Sequence, residues 1–448
     1  MNKKLLKTDL INYFESGCKD KKYWKIGTEH EKFGYSANDL KPIKYEVIKN
    51  IFNELNNKFG WEKIYENGLV IGMKKSGSSI SLEPGGQIEL SGAPLKNIFD
   101  TCSEVNNHQF ELSSVSKNFG VQYMGMGFNP KWSLEYFPIV PKKRYEIMKK
   151  YMNKTGKHGL DMMFRTCTIQ VNFDYGSEND MIKKFRVCLA IQPAIIALYA
   201  NSPFLEGQLS SHLSYRSWIW TKTDKNRCGI LPFVFDEGFS FEMYVDYLLD
   251  VPMYFLKRNG EYIDYTGKSF RKILNSSMSE DMNEILNIND WIEHATTVFP
   301  EVRLKKFLEV RGADGGPWSS VCALPAFWTG ILYDQAILEE VYEMIRHWTN
   351  SDREEFYSTV SLNALKSKTP DGEDIKVFLR KLLELSKTGL INRKILNKSG
   401  DNESIFLNPL FEIVKNGKSP AEIWKELFLK QWNKKIDNIY KFNSFGKE

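Results

Sequence analysis

The strongest constraint on this chain is an alternation that recurs in four short segments of extended character. Side chains two apart in a strand share one face of a sheet. In residues 27–34, Glu29 and Glu31 therefore point one way and His30, between them, points the other. Gln87 and Glu89 share a face, while Ile88 and Leu90 take the opposite one. Gln170 goes with Asn172, and Glu309 with Arg311. Each segment has an apolar face suited to packing on helices and a face of carboxylate, amide or guanidinium. A solvated outer sheet would give this pattern in any one strand. Four such faces, carrying Glu, Gln, Asn and Arg and almost no Lys, Ser or Thr, point to a lined cavity.

Crowded carboxylates repel unless something neutralises them. Oxygen donors without cysteine select a hard cation, magnesium or manganese. Magnesium keeps several waters and bridges to phosphate oxygens, which brings in a nucleotide. Arg311, on the face of Glu309, suits a phosphate or a developing phosphoryl charge. Gly85, Gly86, Gly312, Gly315 and Gly316 flank these positions. They read either as close backbone approach to a ligand or as plain turns. His30 is expected to be a core or supporting histidine with its hydrogen bonds met. Trp218, Trp220 and Trp328 are expected to pack, and Trp318 either packs or walls the site.

Other chemistries find no foothold. Neither a GxxxxGK[ST] loop nor a strand–GxGxxG–helix fingerprint occurs. The six cysteines form no CxxC, so zinc and iron–sulfur spacings are absent and free thiols are expected. Lys and Arg number 61 against 56 Asp and Glu, an excess too small to argue for a nucleic-acid partner. The runs Lys142-Lys143-Arg144 and Lys434-Lys435 read as solvated surface. No apolar stretch approaches the ~18 residues of a membrane helix. The N-terminus has no apolar run, so a cytoplasmic protein with no membrane contact is expected.

Periodicity predicts helices over residues 1–20, over 42–59 with Pro42 in the first turn, and over 97–117. A further helix runs from a Ser177/Asp180 capping box toward Pro193. Helix and strand are expected over 240–258, followed by a hairpin turn at Asn259-Gly260. Beyond about residue 330 the texture is helical, and Ser419-Pro420-Ala421-Glu422 is a capping box with proline at the first helical position. The chain therefore divides into an α+β portion, 1–335, and a helical portion, 336–448, packed on it.

The strings GTEHEKFG (27–34), SLEPGGQIELSGAP (81–94), RTCTIQVNFD (165–174) and FPEVRLKKFLEVRGADGGPW (299–318) closely resemble glutamate–cysteine ligases of the plant and proteobacterial type. The resemblance is nearly continuous from about residue 20 to 335. It implies an α+β fold with a curved, open antiparallel sheet, helices on its outer face, like that of glutamine synthetase. It implies ATP-dependent joining of the glutamate γ-carboxylate to the cysteine amine through a γ-glutamyl phosphate, the first step of glutathione biosynthesis. A related ligase acting on glutamate with another amine is the alternative. The substrates implied are glutamate, cysteine and ATP, with Mg2+ (or Mn2+), in a monomer or weak homodimer.

By motif, Glu29, Glu31, Glu83, Glu89, Gln170 and Glu309 resemble the metal-binding set. Gln170 stands where more distant ligases have a histidine. Arg311 resembles the arginine that stabilises the transferring phosphoryl group. Arg216 resembles the one that holds the amino-acid substrate. Tyr254 falls where the family lines the cysteine pocket, and Asn172 and Arg165 fall near the glutamate. Arg303 reads equally as a structural ion pair. Plant members have a cysteine where this chain has Tyr265, and residues 272–290 contain none. The plant hairpin disulfide is therefore not expected, nor redox control through it.

Overall fold

The computed structural model describes residues 5–276 and 285–445. Its centre is a sheet of nine strands: β1 (Ile26–Ser36), β2 (Glu62–Glu66), β3 (Leu69–Lys75), β4 (Ser78–Leu82), β5 (Ile88–Ser91), β6 (Val121–Met124), β7 (Thr168–Phe173), β8 (Val302–Leu304) and β9 (Leu308–Asp314). The order is β8-β9-β7-β1-β5-β4-β3-β2, and every ladder is antiparallel. β6 joins on the last residues of β1, Phe33–Ser36. The sheet is open, with β8 and β2 at its ends.

The apolar faces decide where the helices lie. Ile169, Val171 and Phe173 of β7, with Leu308 and Val310 of β9, are buried in one core with the helices Glu178–Tyr199 and Trp318–Leu332. Ile80, Leu82, Ile88 and Leu90 are buried in a second core with the helix Tyr45–Phe59. Each fully buried aliphatic side chain contributes about 1.5–3 kcal/mol, so neither face could be turned over without forfeiting many such terms. The polar faces of β9, β7, β1 and β5 are left looking away from the helices.

Several predicted elements start or stop elsewhere. The first helix is Lys7–Glu15, and residues 1–4 of its predicted span lie outside the described residues. Pro42 is not in the first turn of its helix. It forms a bridge with Tyr35, Lys44 is extended, and the helix begins at Tyr45. The helix opened by Ser177 passes through Pro193 and continues to Tyr199. Proline inside a helix costs about 3 kcal/mol. Here every residue from Val187 to Tyr199 is buried, and that burial outweighs the cost. Ser177 does accept from Asp180 N, but the Asp180 carboxylate returns to Gly176 N, so the box is only half formed. The hairpin Phe255–Arg258/Glu261–Asp264 turns on Asn259 and Gly260, both with positive φ as a type I′ turn requires. The Ser419 capping box is present.

From Gln335 onward the chain is helical, and it shares the first core rather than forming its own: Leu379, Leu383 and Leu410 pack in the same cluster as Ile169 and Leu308. The helices Trp318–Leu332 and Ile375–Asn392 meet at Gly330 and Gly389. Among the described residues no single helix is long and apolar enough to cross a membrane. Cys102 and Cys322, far apart in sequence, are buried neighbours, and burial followed by that neighbour pushes the Cys102 thiol far up. Tyr265 is buried beside the hairpin, and residues 277–284 of the loop beyond it lie outside the described residues.

Replacing a mid-helix glycine by alanine ordinarily gains about 1 kcal/mol. A Cβ on Gly389 would fall inside the Gly330 carbonyl oxygen. Gly389→Ala should therefore lower the thermal midpoint, at a cost of about 1–3 kcal/mol. A midpoint equal to or above that of the parent, measured by calorimetry, would rule out this close crossing.

Candidate active site

The four strands with polar faces are consecutive neighbours, β9-β7-β1-β5. Register then builds rows across the sheet. Glu31 stands opposite Glu89, which stands opposite Ser81. Glu29 stands between Gln170 on β7 and Ser91 on β5. Directly opposed side chains in antiparallel strands lie about 5 Å apart, and like charges so placed destabilise the pair. Above these rows is a cavity of about 340 Å³. Its far wall comes from Lys142, Arg144, Tyr145 and Met148, from Met162 and Met163, and from Arg216 and Trp220 of the short helix Tyr215–Trp220. Four carboxylates line it (Glu29, Glu31, Glu83, Glu89), against six cations (Lys142, Arg144, Arg216, Arg303, Lys305, Arg311).

The carboxylate half is under electrostatic strain. Burial, then the charges of Glu309 and Glu89, push the Glu29 carboxyl up to about 7. Burial and Glu83 push Glu89 up to about 7 as well. Glu31 is raised well above the usual range by burial, Glu83 and Glu89. Hydrogen bonds relieve this only in part. Asn172 Nδ2 donates to Glu29 at 2.7 Å, Ser81 and Ser91 hydroxyls donate to Glu89 at 3.2 and 3.0 Å, and Thr168 N donates to Glu31 at 3.0 Å.

The cationic half is organised on β9. Glu309 is 0 % exposed and is held by Arg303 through both carboxylate oxygens (2.7 and 3.0 Å), by Lys305 (2.6 Å) and by Arg311. Burial alone would raise its carboxyl, but the three cations hold it well below the usual range. Between Val310 and Ala313 the register with β7 slips by one, so Arg311 and Gly312 together face Gln170. Such a bulge re-aims side chains. Arg311 Nη1 consequently reaches Gln170 Oε1 at 2.6 Å as well as Glu309. Arg216 closes the same region, donating to the carbonyls of Gly312 (3.2 Å) and Arg311 (2.9 Å).

Most residues singled out in sequence converge here, but not all. Glu309, expected among the metal ligands, is not in the cavity lining, and its two oxygens pair with Arg303, Lys305 and Arg311. Gln170 lines the cavity, but its amide oxygen is taken by Arg311. Asn172 supports Glu29 rather than the cavity wall. Arg165 lies elsewhere. It pairs with Asp161 and Glu206 above the Phe128 ring and lines a separate surface pocket. Tyr254 does not line the cavity either, since its ring is buried against Arg227 and Tyr151. His30 does face away from the glutamates, stacked edge-on to His108, but neither ring nitrogen has a hydrogen-bond partner among the described residues.

The glycines are crowded by protein. Gly86 has φ +83 and serves a turn, and Gly312 abuts Glu301 and Gln192. Trp318 lines a groove with Phe99 and Phe406, away from the carboxylates, whereas Trp220 does wall the cavity. Lys142 and Arg144, expected on a solvated surface, line the cavity. Lys142 is buried, and burial brings its ammonium down to about 8; only Lys143 of that run is exposed. Pro141 before the run and Tyr145 after it were the available signals of a packed helix start.

Among the described residues, no three His, Cys, Asp or Glu side chains converge to enclose an ion by themselves. Glu29, Glu31, Glu83 and Glu89 nevertheless line one wall of the same cavity. An open antiparallel sheet with carboxylates and arginines on one face defines an α+β protein with a single charge-lined cavity on that sheet. Residues 25–441 match the family described as Glutamate-cysteine ligase family 2, and the chain belongs to that family. It is 51% identical to the chloroplastic glutamate–cysteine ligase B of Oryza sativa subsp. japonica over 440 residues, covering 98% of this chain and 87% of that protein. It is 51% identical to the chloroplastic enzyme of Nicotiana tabacum, covering 97% and 82%. The fold is also that of the glutamate–cysteine ligase of Francisella tularensis, solved in complex with AMP. The TM-score is 0.56 at 13% identity, covering 94% of this chain and 88% of that one.

Glu29 and Glu89 hold their protons more tightly folded than unfolded. Their contribution to stability is complete below the ordinary carboxylate range and is lost as pH rises through about 7. In metal-free buffer at pH 8, Glu89→Gln should therefore raise the thermal midpoint by about 2 °C, and at pH 5 it should leave it unchanged. An equal shift at both pH values would show that charge is not the cause.

Proposed function

We propose that this protein joins the γ-carboxylate of glutamate to the amine of cysteine, with ATP cleaved to ADP and phosphate, giving γ-glutamylcysteine. The observation that carries the reading is Arg311, standing where the carboxylate wall meets the cationic wall of one cavity. Family membership names the two amino acids.

A carboxylate does not condense with an amine in water, so it must first be activated. A γ-carboxylate oxygen of glutamate attacks the γ-phosphorus of ATP, and ADP leaves. The cysteine amine attacks the resulting acyl phosphate, a proton leaves the nitrogen, and phosphate is expelled. Both steps shift negative charge among oxygens, so fixed cations are the natural catalysts. Arg311 is assigned to the transferring phosphoryl group and Arg216 to the amino-acid carboxylate. Lys142, Arg144 and Lys305 supply further positive charge to the same cavity. Glu29, Glu31, Glu83 and Glu89 would hold magnesium, which supplies neutralisation of the phosphate charge; manganese suits the same oxygen donors. The raised carboxyls of Glu29 and Glu89 fit a wall meant to meet a cation. Glu309 pairs with Arg303, Lys305 and Arg311, all three of which line the cavity.

Phosphate release measured with glutamate, cysteine, ATP and magnesium, each omitted in turn, should require all four. Release with another amine but not with cysteine would overturn the choice of acceptor. Arg311→Ala should lower kcat by about 1000-fold while changing the KM for ATP little. A parent-like kcat would remove Arg311 from the phosphoryl-transfer role.

A further inference from the structure

We infer that Asp314 is a positioning residue that sets Arg216 against Arg311 through two serine hydroxyls. Asp314 ends β9, three residues after Arg311, and its side chain is buried. One carboxylate oxygen accepts from Ser202 Oγ at 2.6 Å and from Asn201 N at 2.9 Å. The other accepts from Ser214 Oγ at 2.8 Å. Each hydroxyl has one proton to give. Having given it to Asp314, each turns a lone pair toward the helix Tyr215–Trp220: Ser214 Oγ accepts from Ser217 N at 3.2 Å, and Ser202 Oγ accepts from Arg216 N at 3.1 Å.

The loop closes on the strand it started from. The Arg216 guanidinium donates to the carbonyls of Arg311 and Gly312. Asp314 and Arg311 thus belong to one short strand, and Arg216 is fastened to that strand at its backbone nitrogen and at its side-chain tip. Gly127 packs directly on the Asp314 side chain, where a Cβ would collide with the carboxylate. An ionised carboxylate accepts only, which is what three converging donors require. An asparagine would put an NH2 group against one hydroxyl. Facing Ser214, that group would donate to the hydroxyl's second lone pair and leave the hydroxyl proton without its acceptor.

This inference rests on the reading of Arg216 as the holder of the amino-acid carboxylate, and the test separates the two. Steady-state kinetics would compare Asp314→Asn, Arg216→Gln, the double variant and Ser214→Ala in the full chain. Asp314→Asn should raise the KM for glutamate about 10-fold and leave the KM for ATP within about 2-fold. In the Arg216→Gln background the same change should add less than about 2-fold, because the two act as a unit. If Asp314→Asn does not fold, Ser214→Ala carries the test, with an expected rise of about 3-fold in the same constant. Equal changes in both KM values, or an effect undiminished in the Arg216→Gln background, would overturn the positioning role. A raised glutamate KM for Arg216→Gln with parent values for Asp314→Asn would overturn it while sparing the Arg216 reading. An unchanged glutamate KM for Arg216→Gln would remove both.

Discussion

The rest of the site depends on a repulsion that the fold leaves partly unrelieved. Glu31 and Glu89 oppose each other across β1 and β5, Glu29 stands one step along, and all three are desolvated. A sheet designed only for stability would not oppose buried carboxylates in this way. The structure has cations to spare, yet it does not spend them here. Arg303, Lys305 and Arg311 all converge on Glu309, two strands away from the pair. One carboxylate is over-compensated and three are under-compensated. Charge of both signs is therefore held apart across a cavity, where each can meet a ligand of the opposite sign.

Separation of this kind needs rigid support, and the apolar faces provide it. The residues that alternate with the glutamates and arginines, such as Ile88, Leu90, Ile169, Val171 and Val310, are buried beneath the sheet. A slip of one residue would exchange the two faces, so the cost of exposing that core also fixes the charges. Among the four polar-faced strands, register yields at the bulge beside Arg311, and there Arg311 reaches the Gln170 amide oxygen.

Strand periodicity made the polar face legible because a period of two depends only on neighbours in sequence. The adjacency of β9, β7, β1 and β5 is a long-range fact, and only family motifs hinted at it. Two differences between sequence and structure share one cause. Lys142 and Arg144 read as a solvated run in sequence because what buries Lys142 and half-buries Arg144 comes from residues far away in the chain. Arg165 looked close to the site because it adjoins β7 in sequence, but it ends the helix Gly159–Arg165 and its side chain leaves in another direction. Helix ends were legible where a side chain caps them, as at Ser419 and Asn97, and missed where burial carries the helix through a proline.

The change of texture near residue 335 does not separate catalysis from scaffold. Ser361, on the helix Asn350–Asn363, accepts from the backbone nitrogens of Leu213 and Ser214 at 2.9 and 3.0 Å, the entry to the helix that carries Arg216. Tyr357, one turn earlier, donates to Glu301, whose own carbonyl accepts from Arg311 N at 3.0 Å. The helical portion therefore braces both arginines from behind, one through a carbonyl and the other through a carboxylate. Taken with the shared core, this makes the C-terminal helices part of what holds the cationic wall at its distance from the glutamates. A division of the chain at 335/336 is one of composition, not of mechanical independence.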